Sequence, residues 1–308
     1  MDAQPLDTPV FCTLKSGKRV RVGACRDRED LWKACLVSPD ELARCCSIME
    51  HLFVEVEFRM TKQGLRVDMM SPDHVCCFRL VLAADVDANE DCDDRFVLDI
   101  KLLNRMLHGM HLSSECVLHI SRSKEMDAPI RFARIDDADM SVYTIVTLEK
   151  EAESMPLKDM IFPITVNIDV DRLKRVVKTA SDFHAEEIGI SVEKTKGSEM
   201  RVFRVGFDDK TASVHNEGDV LLSTMQLSED AGAFVDGGSP DGDWYQPDRM
   251  ETLYEQRFPV PYLLNVVKGF EKTRVALHLG EGLPLMVQHT LGIDDRSDMR
   301  IVLAACGD

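Results

Sequence analysis

One arrangement recurs along this chain and limits what it can fold into: a short amphipathic helix with Lys or Arg on its polar face, followed by alternating strands, twice in each half. Ser38, Pro39, Asp40 and Glu41 open the first helix, with Ser as N-cap, Pro at the first helical position and acids in the first turn. The spacing predicts a helix to about His51, with Leu42, Cys45, Cys46 and Met49 on one face and Arg44 and Ser47 on the other. A second helix, about Ile100 to Met110, sets Lys101, Arg105 and His108 in one stripe opposite Leu103, Met106, Leu107 and Met110. A third, about Val170 to Phe183, turns Leu173, Val176, Val177 and Ala180 inward and Lys174, Arg175 and Lys178 outward. The fourth, about Pro261 to Phe270, buries Leu263, Leu264, Val266 and Val267, exposes Lys268, and has Lys272 just past its end.

Strands fill the intervals. The first half reads as strands at 53–60, 65–70, 75–83, 95–98, 116–122, 130–135 and 140–148. The second half reads as strands at 162–168, 188–192, 200–207, 211–215, 220–225, 274–279, 283–291 and 299–304. The acidic run 85–94 and the Gly- and Asp-rich run 227–248 read as loops, and 149–159, charged and broken by Pro156, as a linker. Residues 11–37 carry Lys15, Lys18, Arg19, Arg21, Arg26 and Arg28 and read as a solvated hairpin turning at Ser16-Gly17. These readings divide the chain into an extension (1–30), a domain (31–146), a connector (147–162) and a second domain (163–308).

The basic helices lie in a chain of 308 residues with a formal net charge of −17, so its cations are concentrated rather than spread. That balance argues against an open basic surface coated with nucleic acid but leaves room for a basic stripe sheltered on one face. The N-terminal residues lack the pattern of a secretory signal, and no run approaches the roughly 18 apolar residues of a membrane span. Secretion and membrane insertion are not expected. The ten cysteines include the pairs Cys45-Cys46 and Cys76-Cys77 but no C-x-x-C spacing, and they read as free thiols in apolar cores.

No enzyme constellation emerges. Lys15-Ser16-Gly17-Lys18 lacks the upstream Gly and the following Ser or Thr of a phosphate loop. His108, His111, Cys116 and His119 do not converge as a metal site, and the acidic runs at 91–94 and 294–295 read as solvated turns. A hydrolase holding Mg²⁺ on those acids stays as a remote alternative. No catalytic residue, metal or cofactor is assigned.

The segment Gly64 to Val75, a strand ending in Met69, Met70, Ser71 and Asp73 before His74-Val75, resembles a segment of the sliding clamps of the proliferating cell nuclear antigen (PCNA) family. Pro284-Leu285-Met286-Val287, followed by Ile301 to Cys306, is similar to that family's terminal hairpin. Residues 143–162 match its connector, and the likeness runs from about Trp32 to Cys306. The resemblance implies an α+β fold: a two-domain DNA clamp, each domain two helices packed on antiparallel sheets, assembled into a ring. It implies a processivity factor that encircles duplex DNA without reading its sequence and tethers DNA polymerase and other replication or repair proteins.

On that likeness Arg44, Lys101, Arg105, His108, Lys174, Arg175, Lys178, Lys268 and Lys272 would face phosphates. Partner peptides would dock at Met70, His74, Met155, Leu157, Phe162, Pro284, Ala304 and Ala305. Phe162 stands where a Tyr is usual, and Ala305-Cys306 replaces a Pro-Lys. In a homotrimer, the strand Met140, Ser141, Val142, Tyr143, Thr144, Ile145 and Val146 would pair with Lys210, Thr211, Ala212, Ser213, Val214 and His215 of the next chain. A clamp loader is a further partner class, and the nucleus, or another intracellular or viral compartment of DNA replication, is the expected location. A non-ring processivity factor or a checkpoint-type clamp subunit is the nearer alternative.

Overall fold

Asp99 ends a strand and caps the helix that follows, its Oδ1 accepting the Leu102 amide at 2.9 Å, and Asp169 does the same for the Asp171 amide at 2.8 Å. The same strand-to-helix cap thus serves two of the four helices, while the helix at 260–269 starts after Pro259 without a side-chain cap. The computed structural model describes residues 10–13, 19–22, 30–36, 39–88, 92–113, 116–125, 127–136, 140–149, 160–195, 201–207, 220–227, 234–236, 250–270, 274–291 and 297–306.

The chain forms two compact units, one of residues 1–70, 78–157 and 290–299, the other of 71–77, 158–289 and 300–308. The elements run β1 (Val10–Thr13), β2 (Arg19–Val22), β3 (Asp30–Leu36), α1 (Pro39–Leu52), β4 (Glu55–Thr61), β5 (Gly64–Met70), β6 (Cys76–Ala83) and β7 (Asp85–Ala88). Next come β8 (Asp93–Asp99), α2 (Ile100–Gly109), β9 (Val117–Ser123), β10 (Ile130–Ile135), β11 (Met140–Ile145), β12 (Ile164–Asp169), α3 (Val170–Asp182), β13 (Glu187–Thr195) and β14 (Arg201–Phe207). The remainder are β15 (Val220–Leu227), β16 (Phe234–Asp236), β17 (Met250–Pro259), α4 (Val260–Gly269), β18 (Arg274–Leu279), β19 (Leu285–Leu291) and β20 (Ser297–Leu303). Among the described residues no helix is long and apolar enough to cross a membrane.

In the first unit α1 packs on α2, beside a five-stranded sheet ordered β11-β10-β9-β3-β7 and a ladder β6-β5-β4-β8. β1 and β2 pair antiparallel as a hairpin. In the second unit α3 packs on α4, beside the sheet β16-β15-β14-β13-β17 and the ladder β12-β18-β19. After the last strand of each half the chain crosses to the strand that leads into a helix: the Leu148 amide donates to the Val97 carbonyl at 2.9 Å, and the Cys306 amide to the Arg257 carbonyl at 2.8 Å.

The core of the first unit is an aromatic stack. Phe96 lies between Trp32 and Phe58, with ring centroids 5.8 and 5.7 Å apart. Trp32 comes from β3, in a segment the sequence reads as a solvated hairpin; the indole is buried and its strand lies between β9 and β7. β7 lies in the run read as an acidic loop. Its Asp85 and Asp87 are exposed at a sheet edge, where charge deters further pairing, so the composition of a loop occurs on a strand. β16 and β17 likewise lie where the sequence reading places no strand, β16 inside the Gly- and Asp-rich run. The strand expected at 211–215 lies outside the described residues. At Gly64, φ is +125° and a Cβ would sit 2.0 Å from the Leu82 carbonyl oxygen, so the turn from β4 to β5 requires glycine.

His119 on β9 is buried opposite Cys35 and Ala133, and its Nε2 has no hydrogen-bond partner. Burial, and secondarily the nearby Lys33 ammonium, hold its pKa down to about 4. The unfolded chain takes up this proton near pH 6.5, so stability falls as pH drops from 6.5 towards 4, by up to about 3 kcal/mol from this group. Urea unfolding at pH 7 and pH 4.5 should show a smaller acid loss for His119→Leu than for wild type. Equal losses would show that His119 does not carry the dependence.

Candidate nucleic-acid and peptide interfaces

Helical periodicity decides which cations reach solvent. α2 buries Ile100, Leu103, Asn104 and Leu107, leaving Lys101, Arg105 and His108 exposed along the opposite stripe. His108 Nδ1 donates to the Asn104 carbonyl at 2.9 Å, which orients the ring along the helix. α3 buries Val170, Leu173, Val176, Val177 and Ala180 and exposes Arg175 and Lys178. Lys268 is exposed in the last turn of α4. Lys101, Arg105, Arg175, Lys178 and Lys268 have no ion-pair partner among the described residues.

Two other sequence-predicted cations are engaged within the fold. Arg44 pairs with Asp40 one turn earlier on α1. Lys174 is half-buried, and its Nζ donates to the Phe270 carbonyl at the C-terminal end of α4, where a cation also favours the helix dipole. Lys174 therefore ties α3 to α4. The rest of α1 is acidic or covered: Glu41 is buried, and Glu50 accepts from the Asn104 side chain, whose Oδ1 in turn accepts from the Ser47 hydroxyl at 3.2 Å. This polar seam joins α1 to α2. Lys272 lies outside the described residues.

The acids of the 91–94 run that are described are also engaged. Arg59 donates Nη2 to Asp93 at 2.7 Å and holds its carboxyl below the usual range, while Asp94 accepts from Arg122 and Trp32. Asp91, Asp294 and Asp295 lie outside the described residues.

Most sequence-predicted peptide-contact residues that are described converge at one end of a ladder in the second unit. Phe162 precedes the start of β12, whose Ile164 pairs with Leu279 at the end of β18. Pro284 precedes β19, Ala304 and Ala305 follow β20, and the Ala304 amide donates to the Val75 carbonyl at 2.8 Å, next to His74. Antiparallel strands alternate in direction, so these starts and ends share one end of the sheet. Phe162 packs against His278 with ring centroids 5.8 Å apart, and His74 is exposed on a left-handed turn with φ 60°. Ile161, 92% exposed beside Phe162, is an apolar group that the sequence reading passed over; nothing in its flanks sets it apart from other linker residues. Met70 closes β5 in the first unit, and Met155 and Leu157 lie outside the described residues.

Among the described residues β11 pairs with β10 on one side only, and Met140, Val142, Tyr143 and Thr144 on it, with Val146 just beyond, are exposed; Ser141 is half-buried and Ile145 buried. Its expected partners, Lys210 to His215, lie outside the described residues. In the second unit β16 pairs with β15 at Met225, Gln226 and Leu227, leaving residues 220–224 with no strand on that side among the described residues.

Two helices against antiparallel sheets in each half make this a PCNA-like clamp fold. The chain is similar to the PCNA of Entamoeba histolytica at 14% identity and TM-score 0.67, covering 90% of this chain and 100% of that one. Similarity to the PCNA of Thermococcus kodakaraensis is 14% at TM-score 0.64, with coverages of 89% and 100%. For the PCNA2–PCNA3 complex of Sulfolobus tokodaii the values are 14%, 0.63, 89% and 98%. No protein-family model and no curated protein sequence matches the chain.

Proposed function

We propose that the chain is a DNA sliding clamp, a non-enzymatic processivity factor that closes into a ring around duplex DNA and tethers polymerase and other replication or repair proteins. The observation that carries this reading is the exposed pairs Lys101 with Arg105 on α2 and Arg175 with Lys178 on α3, free of ion pairs among the described residues in a chain of net charge −17. Flexible cations that meet phosphates without reading bases hold DNA while letting the protein slide. The end of the ladder at Phe162, Pro284 and Ala304 supports a docking place for partner peptides. The protein then works at an intracellular site of DNA replication, with a clamp loader opening the ring.

Ring closure needs two open strand edges that meet head to tail. β11 supplies one; the other is 210–215, as the resemblance implies, or residues 220–224 of β15, which have no strand on their outer side among the described residues. Light scattering of the purified chain at micromolar concentration should give three chain masses. A stable monomer would overturn the closed homotrimer, and a complex formed only with a different clamp subunit would move the reading to a hetero-oligomeric clamp.

A further inference from the structure

The second unit has a sheet edge, met by Cys306 at Arg257 and without a partner strand among the described residues, that the clamp reading does not use. β17 pairs with β13 on one side and has no strand on the other among the described residues. The Arg257 carbonyl accepts from the Cys306 amide, so it is turned away from β13. Backbone groups alternate along a strand, so the N–H and C=O of Glu255 also point outward, ready for another strand. At Leu253 the register with β13 slips: Val192 faces Tyr254, Glu193 faces Thr252, and Leu253 is the extra residue of a bulge, its side chain 39% exposed.

A cavity of about 980 Å³ lies along this edge, bounded by β17, the Glu281-Gly282 turn, Glu187 and Cys306. That volume suits several side chains of a bound segment. Its wall carries three carboxylates, Glu187, Glu255 and Glu281, against one guanidinium, Arg257, which lies 3.7 Å from Glu187. Glu255 and Glu281 have no ion-pair partner among the described residues. The excess of negative charge rules against nucleic acid and against a second copy of the same edge, because both would bring like charge to it.

We propose that the outer edge of β17 and its cavity bind an extended, lysine- or arginine-bearing segment of a partner protein as an added β-strand. The ladder on Glu255 supplies main-chain hydrogen bonds, Leu253 supplies an apolar contact, and Glu255 and Glu281 receive alternate cationic side chains. The site lies within one unit and does not depend on ring closure or on DNA.

The test is fluorescence anisotropy with a labelled peptide of about seven residues alternating Lys and Val, enough to span the edge at ~3.3 Å per residue. A control of the same sequence and charge has its outward-facing amides N-methylated, which removes the ladder. Wild type should bind the parent peptide, the N-methylated control at least about tenfold more weakly, and the double variant Glu255→Gln, Glu281→Gln should bind the parent about fivefold more weakly. Both substitutions are at exposed positions, away from the cations of α2 and α3, and an unchanged melting curve confirms the fold. Equal affinity for the N-methylated control, equal affinity of the double variant, or no binding of the parent peptide would each overturn the proposal. None of these results bears on the chain's mass in solution or its grip on DNA.

Discussion

Asp94→Ala should lower the melting temperature by about 10 °C. Arg122 Nη1 meets both Asp94 oxygens at 2.9 and 3.0 Å, and Trp32 Nε1 donates to Oδ2 at 2.7 Å. The two charged side chains are 14% and 16% exposed, so removal of the carboxylate strands a guanidinium and an indole N–H largely out of water. Breaking such a pair from one side costs about 3–5 kcal/mol, and for a protein of this size each kcal/mol moves the melting point by about 2–4 °C. Asp94→Asn keeps the shape and one acceptor oxygen and should fall between the two. Calorimetry decides the matter: a shift below about 3 °C for Asp94→Ala would show that the pair contributes little.

Charge reversal on α3, Arg175→Glu with Lys178→Glu, should weaken binding to a short duplex by about 100-fold or more at low salt and flatten the salt dependence by about two charges. Both side chains are exposed, so the melting curve should not move. Arg44→Ala serves as the contrast. Its guanidinium is held by Asp40, and its removal should change DNA affinity less than about twofold. Anisotropy titrations of labelled duplex at several salt concentrations measure all of these. Unchanged affinity of the α3 double variant would remove that helix from the DNA face.

The apolar spacing of the four helices was legible residue by residue, and the helices begin and end within about two residues of the positions the sequence predicts. Most strands with strict alternation were legible too. β3, β7 and β17 were not, for separate reasons. β3 sits beside a basic cluster, β7 has the acids of an edge strand, and β17 exposes Glu251, Glu255 and Arg257 and buries only Tyr254 and Phe258 among the described residues. In each case composition pointed to solvent while the sheet used the backbone.

The same division holds for the sites. Sequence periodicity placed Arg105, Arg175 and Lys178 on polar faces, because a helix of 3.6 residues per turn leaves them opposite the buried stripe. It could not separate them from Arg44 and Lys174. Arg44 has its acid one turn away on the same helix, a pattern readable as an i,i+4 pair, but the acceptor of Lys174 is a carbonyl 96 residues further on.

The amino-acid sequence alone determined the duplicated order of elements, the helix faces and the concentration of cations in an acidic chain, since these depend on spacing and composition within single segments. Tertiary structure alone decided which cations are drawn into the fold, which carboxylates are neutralised, and which strands pair on both sides among the described residues. Those properties depend on partners distant in the chain, which backbone pairing and packing bring together: Asp94 with Arg122, Lys174 with Phe270, and Cys306 with Arg257.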